Sequence, residues 1–182
     1  MEGNVAYSSP TVTLPDGRHI MGSEKIAPEL EKLKPEPSLH VDDPVTEKAT
    51  LAVQTFFGAL RALLLPRVPK VLLNPSSAEY FERTRKEWFG MPLSELEQSK
   101  DAKEAWQNAM PGVEKLKELL HQNPEGPFVK GKQVTYADFI IVGAFEFIML
   151  LGDDVYKKTM AFDPSFPSLH KACQPWLKRN DH

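Results

Sequence analysis

Between residues 131 and 139 the chain reads Gly-Lys-Gln-Val-Thr-Tyr-Ala-Asp-Phe, a spacing that leaves little freedom of local structure. Thr135 stands as N-cap and Asp138 as N3, so each side chain reaches the other's orphan backbone N–H. Val134 before the cap and Phe139 at N4 are spaced for a hydrophobic staple. The helix that follows is apolar nearly all round, which predicts the central, most buried helix of the fold. Asp138 and Glu146 interrupt the apolar stretch from Val134 to Leu151, and both are expensive in lipid, so it reads as a buried helix and not a membrane span. Thr135 and Asp138 are accordingly structural caps, with no catalytic carboxylate implied. Such a cap contributes about 1 kcal/mol to stability.

The rest of the chain divides in two. Residues 11–14 are β-branched and short, Pro15-Asp16-Gly17 is a turn signal, and Arg18 to Met21 return as a second strand. A two-stranded hairpin is marginal alone and must pack on something. Ser23 caps a helix to about Lys34, with Pro28 disturbing its first turn and Pro35-Glu36-Pro37 ending it. Downstream the period is helical. Asp43-Pro44 is an N-cap and N1 pair. Ala49, Val53, Phe56, Leu60 and Leu64 then form a stripe along a helix that stops at Pro66 and Pro69. A capping box from Ser76 to Glu79 opens a charged helix ending near Gly90. Trp106, Met110, Val113, Leu116 and Leu120 mark another long helix, kinked at Pro111. Two final helices run from Asp153 to about Met160 and from Pro167 to about Lys178. The expected fold is mostly α: a hairpin and helix over residues 1–38, then an all-α domain over residues 39–182.

Composition excludes several functions. Lys plus Arg is 22 against 25 for Asp plus Glu, a net charge of −3, which argues against a nucleic-acid binder. The single cysteine, Cys173, rules out an internal disulfide framework, and in a last helix it reads as an inert buried thiol. The five histidines, His19, His40, His121, His170 and His182, have no metal-ligand spacing, so no metal is expected. No secretory signal is visible at the start, and a cytoplasmic, reducing location without membrane partners is expected.

The run from Gly131 to Phe139 resembles the C-terminal domain of cytosolic glutathione S-transferases. The segment from Ser9 to Gly17, with Ile20 to Ala27 after it, is similar to the second half of that family's thioredoxin-like domain. Leu65 to Lys70, Asn74-Pro75, Ser77 to Phe81 and Trp88-Phe89-Gly90 look like the fungal etherase-related, FuA-like branch. The resemblance implies a partial thioredoxin-like hairpin and helix followed by the family's helical bundle. It implies glutathione as cofactor, a hydrophobic electrophilic substrate, and a homodimer paired through the helices beginning at Ser23 and Pro44. The reaction implied is conjugation, or a glutathione-assisted trans-to-cis olefin isomerisation in secondary metabolism of the pseurotin isomerase type.

Carried over residue by residue, Ser9 precedes the cis-proline, Pro10, and pairs with the cysteinyl part of glutathione. The acidic-Ser pair that holds the γ-glutamyl end reads Gly22-Ser23 here, so the serine is kept and the acid replaced, with Glu24 as its substitute. Phe56, Phe57, Leu60 and Tyr80 are the expected apolar substrate pocket. Arg67, Lys70, Arg83, Arg85 and Lys86 form a basic group, read as a solvated face or as a patch for glutathione carboxylates. Few residues precede Pro10, so the segment that carries the family's thiol-activating residue is expected to be absent. Tyr7 and Ser8 match no activating motif, and the catalytic residue is unknown. That absence and Gly22 leave open a second reading, a non-catalytic binding or scaffold protein.

Overall fold

A computed structural model describes residues 9–178 of the 182-residue chain. Its first unit begins with the hairpin that Pro15-Asp16-Gly17 turns. Strand β1 (Thr11–Thr13) pairs antiparallel with β2 (His19–Met21), in the register Thr11↔Met21, Val12↔Ile20, Thr13↔His19. Gly17 N–H donates to Leu14 O at 2.9 Å and holds φ 86°, a left-handed geometry that glycine adopts without a Cβ penalty. Asp16 accepts from both the backbone N–H and the Nε of Arg18. Helix α1 (Ser23–Leu33) follows and runs through Pro28 unbroken. Among its described residues Leu14, Ile26 and Val41 are the buried apolar side chains of this small unit.

The chain falls into two compact units that meet in sequence between Asp43 and Pro44. Glu31 lies near the end of α1. Its Oε1 accepts from Ser38 Oγ at 2.7 Å, Leu39 N at 2.6 Å and His40 N at 3.0 Å, and its Oε2 accepts from Val41 N at 2.9 Å. The backbone bond from Val41 and these companions hold its carboxyl below the usual glutamate range, against the opposing pull of burial. One carboxylate therefore ties residues 38–41 back onto the helix before them.

The second unit is helical. It contains α2 (Pro44–Leu64), a 3₁₀ turn (Leu65–Arg67), α3 (Val68–Val71), α4 (Pro75–Phe89) and α5 (Leu93–Leu96). Next come α6 (Lys100–His121), α7 (Tyr136–Leu151), α8 (Asp153–Met160) and α9 (Ser165–Leu177). Helix α2 packs along α6 and against α7, burying Ala49, Ala52, Phe56, Leu60 and Leu64. By length and composition the stretch from Pro44 to Val71 could cross a membrane, but its apolar face is the core of the bundle.

Small residues set the depth of this packing. Ala102, Ala105, Ala109 and Gly112 form the buried face of α6 with Val113, Leu116 and Leu120, while Met110 is exposed. The face is thus turned from the one that Trp106 and Met110 suggested, and the helix runs through Pro111 unbroken. A Cβ on Gly112 would lie 2.5 Å from Phe56 Cα, so α6 meets the backbone of α2 directly.

Helix ends depart from expectation at two places. Gly22, not Ser23, is the N-cap of α1, and Ser23 is its first helical residue. The cap of α4 is Asn74, whose Oδ1 accepts from Ser77 N at 2.9 Å with Pro75 at N1, so the box from Ser76 to Glu79 is not used. Gly90, φ 69°, ends α4 in the left-handed conformation.

Arg67 and Asp154 join the turn after α2 to the start of α8 through a bidentate pair, Nη1–Oδ1 2.6 Å and Nη2–Oδ2 2.9 Å. The Arg67 guanidinium holds the Asp154 carboxyl down at about 2. Because the folded value lies below the unfolded one, near 3.8, this stabilisation is complete above pH 4 and is lost as pH falls towards 2. Chemical denaturation at pH 4.5 and 2.5 checks this, since Asp154→Asn should reduce the loss of stability between them. Asp154 is largely exposed, so the effect is modest.

Candidate functional site

The cis peptide at Ser9–Pro10 opens the described chain, and the hairpin register sets Pro10 beside Gly22. Gly22 N–H donates to Pro10 O at 3.1 Å, closing the hairpin at the start of α1. Gly22 has φ 90°, and its carbonyl accepts from Lys25 N at 3.1 Å and Ile26 N at 3.0 Å as the first turn forms. The N–H groups of Ser23 and Glu24, first and second in the helix, find no partner within it. Ser9, Pro10, Ser23 and Glu24 are exposed.

Glu24 completes the arrangement. Its carboxylate folds back over Gly22, so that a Cβ there would lie 2.8 Å from Glu24 Cδ and Oε2. An acidic group thus occupies the space a side chain at residue 22 would enter. The structure gathers Ser9, Pro10, Gly22, Ser23 and Glu24 at one end of the hairpin. A hydroxyl with free N–H groups at a helix N-terminus suits a carboxylate, and the adjacent Glu24 suits an ammonium group.

The four apolar residues expected to line a substrate pocket are not brought together. Phe56 and Leu60 are fully buried in the α2–α6–α7 core, because the Gly112 contact draws α6 over them. Phe57 is half-buried, its ring 5.5 Å from that of Phe147. Tyr80 lies exposed on α4, with the Arg83 guanidinium 5.4 Å from its ring centroid. Tyr7 and Ser8 lie outside the described residues, as does His182.

The basic group also separates. Arg67 is paired with Asp154, and Arg85 lies between the rings of Phe81 and Trp88, 4.1 Å from each centroid. Lys70, Arg83 and Lys86 instead line a cleft of about 420 Å³.

Thr135 and Asp138 form the capping box at the start of α7. Asp138 Oδ2 accepts from Thr135 N at 2.7 Å and Oγ1 at 2.8 Å, and its Oδ1 accepts from Val129 N at 2.8 Å. This last bond, to the segment preceding the helix, has no signature in the box itself. Burial pushes the Asp138 carboxyl up against these hydrogen bonds. Cys173 is buried in α9, and burial, with the nearby Asp138 charge, pushes its thiol up to about 12. A thiol so placed is no nucleophile at neutral pH.

One polar constellation was not anticipated. His170 on α9 joins Tyr156 OH through Nδ1 and Glu146 Oε1 through Nε2, both at 2.5 Å. It ties α9 to α7 and α8. The residues lie 14 and 24 positions from His170, too far apart for any helical spacing to suggest them.

Comparison with known proteins gives concordant results. Residues 49–163 match the family profile "Glutathione S-transferase, C-terminal domain". The chain is 30% identical to the glutathione S-transferase-like protein ustS of Aspergillus flavus, over 96% of this chain and 66% of that protein, so it spans a little under two thirds of that relative. Among solved structures it is similar to the glutathione S-transferase CsGST63524 of Ceriporiopsis subvermispora, determined in complex with glutathione. That match has a TM-score of 0.80 and 25% identity and covers 97% of this chain and 74% of the other. It is also similar to glutathione transferase GSTFuA2 of Phanerochaete chrysosporium, with a TM-score of 0.77 and 27% identity over 96% and 73% of the two chains.

Proposed function

Because the chain belongs to the glutathione S-transferase family, we propose that it uses glutathione on a hydrophobic electrophilic small molecule, as a cytoplasmic homodimer. The observation that carries this reading is the hydrogen bond from Gly22 N to Pro10 O, which sets the cis-proline turn against the first turn of α1. In this reading Ser23 Oγ and the N–H groups of Ser23 and Glu24 receive the γ-glutamyl carboxylate. The Glu24 carboxylate receives the neighbouring ammonium, and the backbone at Ser9 pairs with the cysteinyl unit. The likeness to a structure determined with glutathione supports the same assignment.

Two outcomes of one chemistry fit. In conjugation the glutathione sulfur adds to the electrophilic carbon and stays. In isomerisation it adds to a conjugated olefin, the former double bond rotates, and elimination returns thiol and cis alkene, as in secondary-metabolite pathways. Glutathione is consumed only in the first, so a thiol count during turnover separates them.

Calorimetric titration of glutathione into the full chain tests the reading. Binding is expected, and Ser23→Ala should weaken it about 5- to 150-fold, the range for a charge-assisted hydrogen bond. Affinity unchanged in that variant would remove Ser23 from the site. No binding at millimolar ligand would overturn the proposal and favour a non-catalytic binding protein. A monomeric mass at micromolar concentration would refute the homodimer.

A further inference from the structure

Helix α4 lines a cleft near α3 and α5 with charged, solvent-exposed side chains, its packing side being turned to the apolar core. Glu79, Glu82, Arg83 and Lys86 follow the i, i+3, i+4, i+7 spacing of a single helix face, and all four line the cleft of about 420 Å³. Pro66, Lys70, Pro92, Leu93 and Ser94 complete its lining. Among the described residues, α4 has no fully buried side chain, and Phe81 and Phe89 are partly buried against the apolar clusters.

The signs along this face are ordered. The two carboxylates come first and the two cations follow, centred four residues further on, about 6 Å along the axis at 1.5 Å per residue. The helix dipole favours acid early and base late. It does not explain why the whole ionised face looks into a gap. Nor do the charges neutralise one another there. Arg83 reaches Glu87, off this face, at 3.7 Å, and Lys70 approaches Glu97 at only 3.9 Å. The side chains of Glu79, Glu82 and Lys86 make no ion pair or hydrogen bond with another described residue.

We propose that this cleft binds a short zwitterionic peptide or peptide-like small molecule. Its ammonium group lies against Glu79 and Glu82, and its carboxylate lies against Arg83 and Lys86, with Lys70 near the same end. An apolar side chain rests on Pro66, Pro92 and Leu93. Charges spread over two turns of the helix suit a dipeptide, whose termini lie a residue apart, better than a free α-amino acid, whose two charges sit on one carbon. The cleft lies wholly in the helical unit and uses none of the residues assigned to glutathione.

Titration of the ¹⁵N-labelled full chain with alanyl-leucine, followed by NMR, tests this. Saturable shifts are expected at Leu93, Ser94 and along α4. N-acetyl-alanyl-leucine and alanyl-leucine amide, each lacking one charge, should bind about tenfold more weakly or worse. Glu79→Gln with Glu82→Gln should weaken the dipeptide but not its acetylated form, and Lys86→Gln should weaken the dipeptide but not its amide. Ser23→Ala should leave these shifts unchanged, which separates this cleft from the glutathione reading. Equal binding of the blocked forms, shifts confined to the first unit, or no saturation at millimolar ligand would overturn the proposal.

Discussion

Replacing Gly112 with alanine is expected to lower the melting temperature, while the same change at Gly58 raises it. Both glycines lie inside long helices, where alanine is ordinarily favoured by about 1 kcal/mol. At Gly58 an added Cβ meets nothing within 4 Å, so that gain is realised. At Gly112 the Cβ would be driven against the Phe56 backbone, which cannot swing away as a side chain can. Separating α2 from α6 would loosen contacts along the seam that buries Phe56, Ala105 and Ala109, at a net cost of about 1–3 kcal/mol. Thermal unfolding of the two variants beside the parent protein reads both signs in one experiment. A stabilised Gly112→Ala protein would mean that the helices do not meet at this depth.

Asp138→Ala is expected to be the more damaging change, lowering stability by about 3 kcal/mol or more. Three donors, Val129 N, Thr135 N and Thr135 Oγ1, lose their acceptor in a place where water does not replace it. Each buried donor left unpaired costs about 1–3 kcal/mol. Asp138→Asn should fall between, since its Oδ1 still serves Val129 while its amide meets two donors at Thr135. The comparison belongs near neutral pH. Burial raises the folded carboxyl, so its contribution to stability falls as pH rises from the ordinary aspartate range through the raised value and is constant above it. Asp138→Ala that melts with the parent would reduce the aspartate to an ordinary surface cap.

These two residues show what the sequence discloses and what it conceals. The Thr135–Asp138 box, the Pro15-Asp16-Gly17 turn and the helix end at Gly90 are local devices, specified by neighbours within a few positions, and they are legible. The bond from Asp138 to Val129 is not, because it depends on where the preceding segment is folded. The same limit explains α6. Hydrophobicity marks Trp106 and Met110, yet the deep contact with α2 is made by alanines and a glycine, whose value lies in their small size. It also explains Phe56 and Leu60, whose aromatic and aliphatic character suits a pocket wall or a core equally well. Only the approach of α6 decides between the two. For the proposed glutathione site, the order Ser9-Pro10 then Gly22-Ser23-Glu24 is readable, but the return of Glu24 over Gly22 is a rotamer and no periodicity encodes it.

Cys173 has a practical consequence at the bench. It is the chain's one cysteine, and its thiol is enclosed and held protonated. Colorimetric reagents that titrate free sulfhydryls should therefore register added glutathione and almost nothing from the native polypeptide. Consumption assays can run at high protein concentration without a rising blank, and incubation with oxidised glutathione should leave the polypeptide's mass unchanged. Unfolding would reveal one additional equivalent, so the same colour reaction doubles as a count of molecules that have lost their native packing.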